Sequence, residues 1–172
     1  MGAKDRDSEG KPTNLEFNND GTVWKNHEDY SKYKRTFPIF DEYELDFMPK
    51  IIEWNDEGYR YKYVDGVNIR EYLLDDWEGS AKLTQKMIFE MKIAMDDIWK
   101  KLYQISIEKL NGEFLWYGDP ISENLIWNDD TKKLTLLDLD SFEITTYVPI
   151  SDMTNRFIQQ FETQFIIRRI VY

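Results

Sequence analysis

FLWYGDPISENLIWNDDTKKLTLLDLD, residues 114–140, decides how the rest of the chain is read. The apolar runs Leu125–Trp127 and Leu134–Leu137 flank a turn that contains Asp129-Asp130, so the spacing predicts a β-hairpin. Two strands joined by a tight turn bring their open ends together. Asn124, at the start of one strand, and Asp138, closing the other, are therefore expected side by side. Asp119 hangs in the loop just before them, and Asp140 follows two residues after Asp138, expected on the same face. Two carboxylates and a carboxamide are hard oxygen ligands. Such a set suits Mg²⁺, which binds few protein groups and completes its shell with water and phosphate oxygens. The competing reading is a plain hairpin whose acidic ends face water.

Working outward from this segment, residues 1–13 are polar and read as a flexible tail. Leu15–Phe17, Asn18–Gly21 and Thr22–Lys25 predict a hairpin around an Asp-Gly turn. Residues 28–47 show a loosely helical pattern broken by Pro38, with a short helix expected over about 39–47. Lys50–Trp54 and Tyr59–Val64 flank Asn55–Gly58 and predict a second hairpin. Residues 65–68 connect it to a short helix over 69–77. A long helix is expected over 82–110, because Leu83, Met87, Phe89, Met91, Ala94, Met95, Ile98, Trp99 and Leu102 recur at three- and four-residue spacing. Asn111-Gly112 ends it. Ser151 or Asp152 caps a final helix to about Arg169. The organisation is α+β: a tail over 1–13, a β-rich region over 14–64, a hinge over 65–68, and a helical region over 69–172 that carries the third hairpin.

Composition narrows the function classes. Hydrophobic residues make up 41% of the 172 residues, enough for a sizeable core. Lys and Arg total 22 against 33 Asp and Glu, a net charge of −11, which makes nucleic acid a poor partner. Cysteine is absent, so disulfides, thiolate metal sites and a Cys nucleophile are excluded together. The first residues, MGAKDRDSEGKPTN, carry no apolar core of a secretory signal, and Arg6 stands where a myristoylation motif wants Ser or Thr. No apolar run of about 18 residues is present, so no membrane partner is expected and the cytoplasm is the default location. His27, the sole histidine, lies in a polar loop and reads as a surface residue.

The segments Tyr117–Leu125 and Leu136–Asp140 resemble the catalytic loop and metal-binding segment of the protein-kinase-like superfamily. The closest flavour is the aminoglycoside phosphotransferase and choline kinase branch. The pattern there is H-G-D-x-x-x-x-N, then an apolar strand ending I-D-[FW]-[DE]; in protein kinases it is H-R-D-x-x-x-x-N and D-F-G. The resemblance implies that Asp119 is the catalytic base and that Asn124 and Asp138 hold Mg²⁺ on the phosphates of ATP. Tyr117 stands where the family has His, a packing and orienting position. Tyr59–Leu73 resembles the kinase hinge, which implies adenine at backbone groups near Lys62 and Val64, with Tyr61 lining the back of the pocket. Gly21–Lys25 resembles the strand of the phosphate-binding lysine, here Lys25. Its orienting carboxylate would come from Asp41, Glu42 or Glu44, with Glu42 favoured.

The resemblance covers roughly residues 15–145. No G-x-G-x-x-G occurs in the sequence, and both ends are pared down relative to the family. It implies a protein-kinase-like two-lobed fold with a minimal β-rich N-lobe and a truncated helical C-lobe. The activity implied is an ATP-dependent phosphotransferase, with a hydroxyl on a small molecule or a protein as acceptor. A pseudokinase that binds nucleotide or protein is the alternative, and an acidic structural adaptor is a third. The acidic surface would suit a cationic acceptor, and a homo-oligomer that completes the site stays open.

Overall fold

A computed structural model of the chain describes residues 15–26, 33–77, 83–146 and 155–161. The expected tail and His27 lie outside the described residues, as do both expected ends of the final helix; residues 155–161 are helical. Packing divides the chain into two units, Met1–Val64 and Asp65–Tyr172. The architecture is α+β: an antiparallel sheet in the first unit, and helices with small antiparallel sheets in the second.

The first unit contains β1 (Leu15–Phe17), β2 (Thr22–Asn26), α1 (Tyr33–Glu42), β3 (Ile51–Trp54) and β4 (Gly58–Lys62). Its sheet runs β1-β2-β4-β3, so the second strand of each hairpin lies at the centre. Gly21 turns the first hairpin at φ 77°, a conformation that L side chains resist. Asp20 accepts from both the backbone and the hydroxyl of Thr22, at 3.1 and 2.6 Å, and these bonds hold its carboxyl below the usual range. Asn55 closes the second turn by accepting from the amides of Glu57 and Gly58. Gly58 is required by crowding, since a Cβ there would sit 2.2 Å from the Lys25 carbonyl oxygen.

One expectation is corrected here. The helix starts at Tyr33 and runs through Pro38 to Glu42, instead of beginning after the proline. Pro38 removes one amide donor and crowds the Lys34 carbonyl, at a cost of about 3 kcal/mol in a helix interior. Packing outweighs it: Tyr33, Thr36, Phe37, Ile39 and Phe40 are all buried, on both sides of an exposed Pro38. The Phe37 ring lies 5.2 Å from both Trp54 and Tyr59, so the helix is clamped to the sheet through an aromatic centre.

The second unit opens with β5 (Val67–Asn68) and α2 (Ile69–Trp77), then α3 (Gln85–Lys109). It continues with β6 (Phe114–Tyr117), β7 (Leu125–Asn128), β8 (Lys133–Leu136) and β9 (Phe142–Thr145). One sheet runs β5-β7-β8 and another pairs β6 with β9. Thr84 caps α3 by accepting from the Met87 amide at 3.1 Å. Met87, Met91, Met95, Ile98, Leu102 and Ile105 form its buried stripe. Phe89 is not part of it: one residue in from Ile88 and two from Met91, it points outward and is 63% exposed. Asn111 and Gly112 terminate the helix, both with positive φ. Ser106 joins α3 to β6, donating to the Leu102 carbonyl at 2.7 Å while accepting from the Leu115 amide at 2.8 Å. Among the described residues no helix is long and apolar enough to cross a membrane.

Candidate active site

Two ladders deliver the site. β6 and β9 pair antiparallel up to Tyr117 opposite Phe142, and the Gly118 amide adds one more bond to the Ser141 carbonyl at 2.9 Å. The chain then leaves the sheet. Ile121 donates to the Asp119 carbonyl at 2.8 Å, and a short 3-10 turn over Ser122–Asn124 feeds into β7. β7 pairs with β8 from Leu125 opposite Leu136, and the Leu137 amide extends that ladder to the Asn124 carbonyl at 2.8 Å. The stretch after β8 turns sharply: Ser141 donates to the Asp138 carbonyl, and its hydroxyl to Asp138 Oδ2 at 2.7 Å.

Asp119 and Asn124 therefore meet where the two ladders end, and Asp138 follows Leu137, whose amide is bonded to the Asn124 carbonyl. Asn124 Nδ2 donates to Asp119 Oδ2 at 3.0 Å and to the Asp119 carbonyl at 3.2 Å. With its nitrogen committed to Asp119, the carboxamide leaves Oδ1 as the end able to meet a cation. Asp140 is set differently from expectation. The 3-10 turn at Leu139–Ser141 breaks strand alternation, so Asp138 and Asp140 do not share a strand face. Among the described residues no group of three His, Cys, Asp or Glu side chains forms a ready metal cage. The Asp138 carboxylate and the Asn124 carboxamide oxygen, both hard oxygen donors, nevertheless fit Mg²⁺, which takes its remaining ligands from phosphate and water oxygens.

The loop is held from both flanks by residues that spacing did not flag. Asn68 Nδ2 donates to the Glu123 carbonyl at 2.8 Å, and Arg70 Nη1 pairs with Glu123 Oε1 at 2.6 Å. On the other flank Gln160 Nε2 donates to the Pro120 carbonyl at 2.7 Å, while its Oε1 accepts from the Ser122 amide at 2.6 Å. Arg156 Nη1 reaches the Gly118 carbonyl at 3.5 Å. Asn68 is readable as a helix-start residue, since its Oδ1 also takes the Arg70 amide. Nothing in the sequence ties position 160 to position 120.

Tyr117 is the last residue of β6, two residues before Asp119. Its side chain is 0% exposed and its ring packs 4.8 Å from that of Phe142. Burial raises the phenol well above its usual value, the charges of Asp138 and Asp119 push the same way, and the Asp138 backbone amide opposes them.

The remaining expected residues belong to the first unit. Lys25 sits on β2 opposite Tyr59, and Val23 opposite Tyr61, so Lys25 and Tyr61 share one face of the sheet. Tyr61 is buried. Glu42 is the last residue of α1, whereas Asp41, its neighbour among the candidates, accepts from Trp54 Nε1 at 2.9 Å. Lys62 ends β4, and its amide is used within the unit, donating to the Lys50 carbonyl at 3.0 Å; the Tyr63 amide likewise serves the Gly21 carbonyl. Val64 closes the unit.

Among solved structures, the streptomycin–ATP ternary complex of APH(2'')-IIa is similar over 74% of this chain and 62% of its own, at 16% identity and a TM-score of 0.50. The fold is protein-kinase-like. The ADP-bound aminoglycoside phosphotransferase APH(2'')-Ib matches at 13% identity and a TM-score of 0.37, over 74% of this chain and 62% of that one. A Mycobacterium tuberculosis protein in complex with erythromycin matches at 10% identity and a TM-score of 0.42, over 69% of this chain and 26% of that one. The kinase-like chain thus spans less than two thirds of the length of APH(2'')-IIa. No family model and no curated protein matches the sequence.

Proposed function

We propose that the chain is an ATP-dependent phosphotransferase that moves the γ-phosphoryl group of Mg·ATP to an alcohol. The observation that carries this reading is the bond from Asn124 to Asp119, at the point where the β7–β8 ladder brings in Asp138. Asp119 Oδ2 is occupied by that bond, which leaves Oδ1 to accept the proton of the incoming hydroxyl. The acceptor oxygen bonds to the γ-phosphorus, the bond to the β–γ bridging oxygen breaks, and ADP leaves with that electron pair. Asn124 Oδ1 and the Asp138 carboxylate would hold Mg²⁺, which supplies charge neutralisation on the phosphates. Such transfer is mostly positioning, and the clamps at Glu123, Pro120 and Ser122 fit that demand. On the same reading Lys25, oriented by Glu42, binds phosphate, and Tyr61 with the backbone near Lys62 and Val64 binds adenine. Because the Lys62 amide is already bonded, Lys62 would offer its carbonyl and Val64 its amide. APH(2'')-IIa, on the same fold, was solved with ATP, which supports the nucleotide. The acceptor is a hydroxyl on a small molecule or a protein, and a net charge of −11 favours a cationic one.

Calorimetry of ATP binding with and without Mg²⁺ tests the reading. Binding that tightens with Mg²⁺ is expected; no heat at millimolar ATP with Mg²⁺ would sink it. The absence of G-x-G-x-x-G favours a second reading, a pseudokinase that binds nucleotide or protein without transfer. It predicts ATP binding with no turnover that depends on Asp119.

A further inference from the structure

Helix α3 carries apolar side chains on two faces. Its core stripe runs from Met87 to Ile105. Phe89, Ile93, Tyr103 and Ile107 lie on the opposite side and are 42% to 64% exposed. At 100° per residue these four fall within about 80° of arc, so they form one line along the helix. Asp96 and Lys100 fill the middle of the same line. The Tyr103 ring is held there by stacking on Phe114, with centroids 6.0 Å apart. Single apolar residues on a surface need no explanation, but an aligned stripe marks a face that something covers.

The stripe has an order that selects its occupant. Phe89, Ile93, Asp96, Lys100, Tyr103 and Ile107 are spaced 4-3-4-3-4. That is the seam spacing of helices that pack along their length. It is also symmetric about residue 98, with two apolar residues at each end and one charge of each sign in the middle. In a parallel pair each position meets itself, so Asp96 would oppose Asp96 and Lys100 would oppose Lys100. Reversing one helix turns both clashes into ion pairs. We infer that α3 docks on α3 of a second copy in antiparallel, two-fold register. Phe89 then meets the partner's Ile107, Ile93 the partner's Tyr103, and Asp96 the partner's Lys100, each contact being made twice. Within its own chain Asp96 accepts from Lys92 at 2.6 Å and Lys100 donates to Asp97 at 2.8 Å. Both pairs are exposed, so exchanging them across the interface costs little. The inference does not depend on the phosphotransferase reading. One helix pair lies at the small end of interfaces, and two chains of net charge −11 repel, so the dimer is weak and concentration-dependent.

Sedimentation equilibrium of the full chain at about 0.15 M salt, where charge repulsion is largely screened, tests the register. Wild type should pass from monomer to dimer as its concentration rises. Asp96→Lys and Lys100→Asp should each weaken self-association about tenfold, since each replaces two ion pairs by two like-charge contacts. An equimolar mixture of the two variants should recover association, because every Lys then faces an Asp. A second measurement uses the absence of native cysteine. Phe89→Cys mixed with Ile107→Cys should form a disulfide between the two variants under mild oxidation. Phe89→Cys alone should not, because two copies of position 89 would lie about 27 Å apart, beyond the reach of a disulfide. A chain that stays monomeric overturns the inference and leaves the stripe to a different partner. Self-association that ignores both charge variants, or Phe89→Cys linking to itself as readily as to Ile107→Cys, overturns the antiparallel register.

Discussion

Asn124 makes two bonds in the structure, its side-chain nitrogen to Asp119 and its backbone carbonyl to the Leu137 amide, and on the proposed reading its side-chain oxygen would hold Mg²⁺. That arrangement separates the expected effects of neighbouring substitutions. Asp119→Ala should leave ATP binding nearly unchanged and lower turnover by about 10²-fold or more, the usual loss for a positioned base. Asp138→Asn should keep the fold and abolish the Mg²⁺-dependent part of ATP binding. Lys25→Ala should weaken ATP binding and turnover together, because a phosphate contact acts in the ground state as well. Phosphate release measured beside calorimetry distinguishes these outcomes. Equal release from wild type and Asp119→Ala, with no Asp119-dependent transfer to amino sugars, choline-like alcohols or proteins, would favour the pseudokinase. That Asn124 and Asp119 lie side by side was legible because they are five residues apart ahead of one hairpin. Gln160 and Arg156 were not, because their contacts cross about forty residues of chain that no periodicity encodes.

Helix α1 and the β7–β8 hairpin show how local preference and packing divide the work. Pro38 is exposed while its neighbours on either side are buried, so its ring contributes little packing and still costs a backbone bond. Pro38→Ala should stabilise the protein by about 2 kcal/mol, the helix-interior penalty less the entropy that proline removes from the unfolded chain. Urea denaturation would show a higher midpoint; a lower one would mean that the ring packs. In the hairpin turn, Asp129 accepts from Lys132 at 2.7 Å and from the Trp127 indole at 3.2 Å, and these bonds, the lysine's first, hold its carboxyl below 3.8. A depressed carboxylate stabilises the fold above its unfolded pKa, and that contribution is lost as the pH falls through the lower folded value. Wild type should therefore be slightly more stable than Asp129→Asn at neutral pH. The two should converge as the pH drops below 3.8, and the gap should shrink in salt, because the turn is solvent-exposed. Melting curves from pH 7 to pH 3 would test this, and a gap that widens on acidification would contradict it.

Across the whole molecule, 33 acidic residues face 22 basic ones. Surface pairs such as Lys92–Asp96 and Lys100–Asp97 offset some of this repulsion locally, but the net charge remains −11. Such self-repulsion is screened by salt, with a Debye length near 8 Å at about 0.15 M. The melting temperature should rise between low and physiological ionic strength. A fall would show that ion pairs outweigh the net repulsion. The same charge should keep the protein from being retained on nucleic acid at physiological salt.

The amino-acid sequence by itself determined the parts whose partners are close along the chain. Asn18–Gly21 and Asn55–Gly58 close their hairpins with backbone and side-chain bonds inside the turn. The α3 stripe follows from three- and four-residue spacing, and α2 covers residues 69–77 as its pattern predicts. Asn124 and Leu137, the residue before Asp138, are bonded because a β-hairpin pairs its ends. Only the tertiary structure decided that β2 lies beside β4, which puts Lys25 on the face of Tyr59 and Tyr61. It also decided that Phe114–Tyr117 leaves the hairpin to pair with Phe142–Thr145, and that α1 runs through Pro38. The physical reason is common to all three. Turns and helices are set by bonds between near neighbours, whereas strand partners and a strained helix are set by which apolar faces can be buried together, a property of the assembled core.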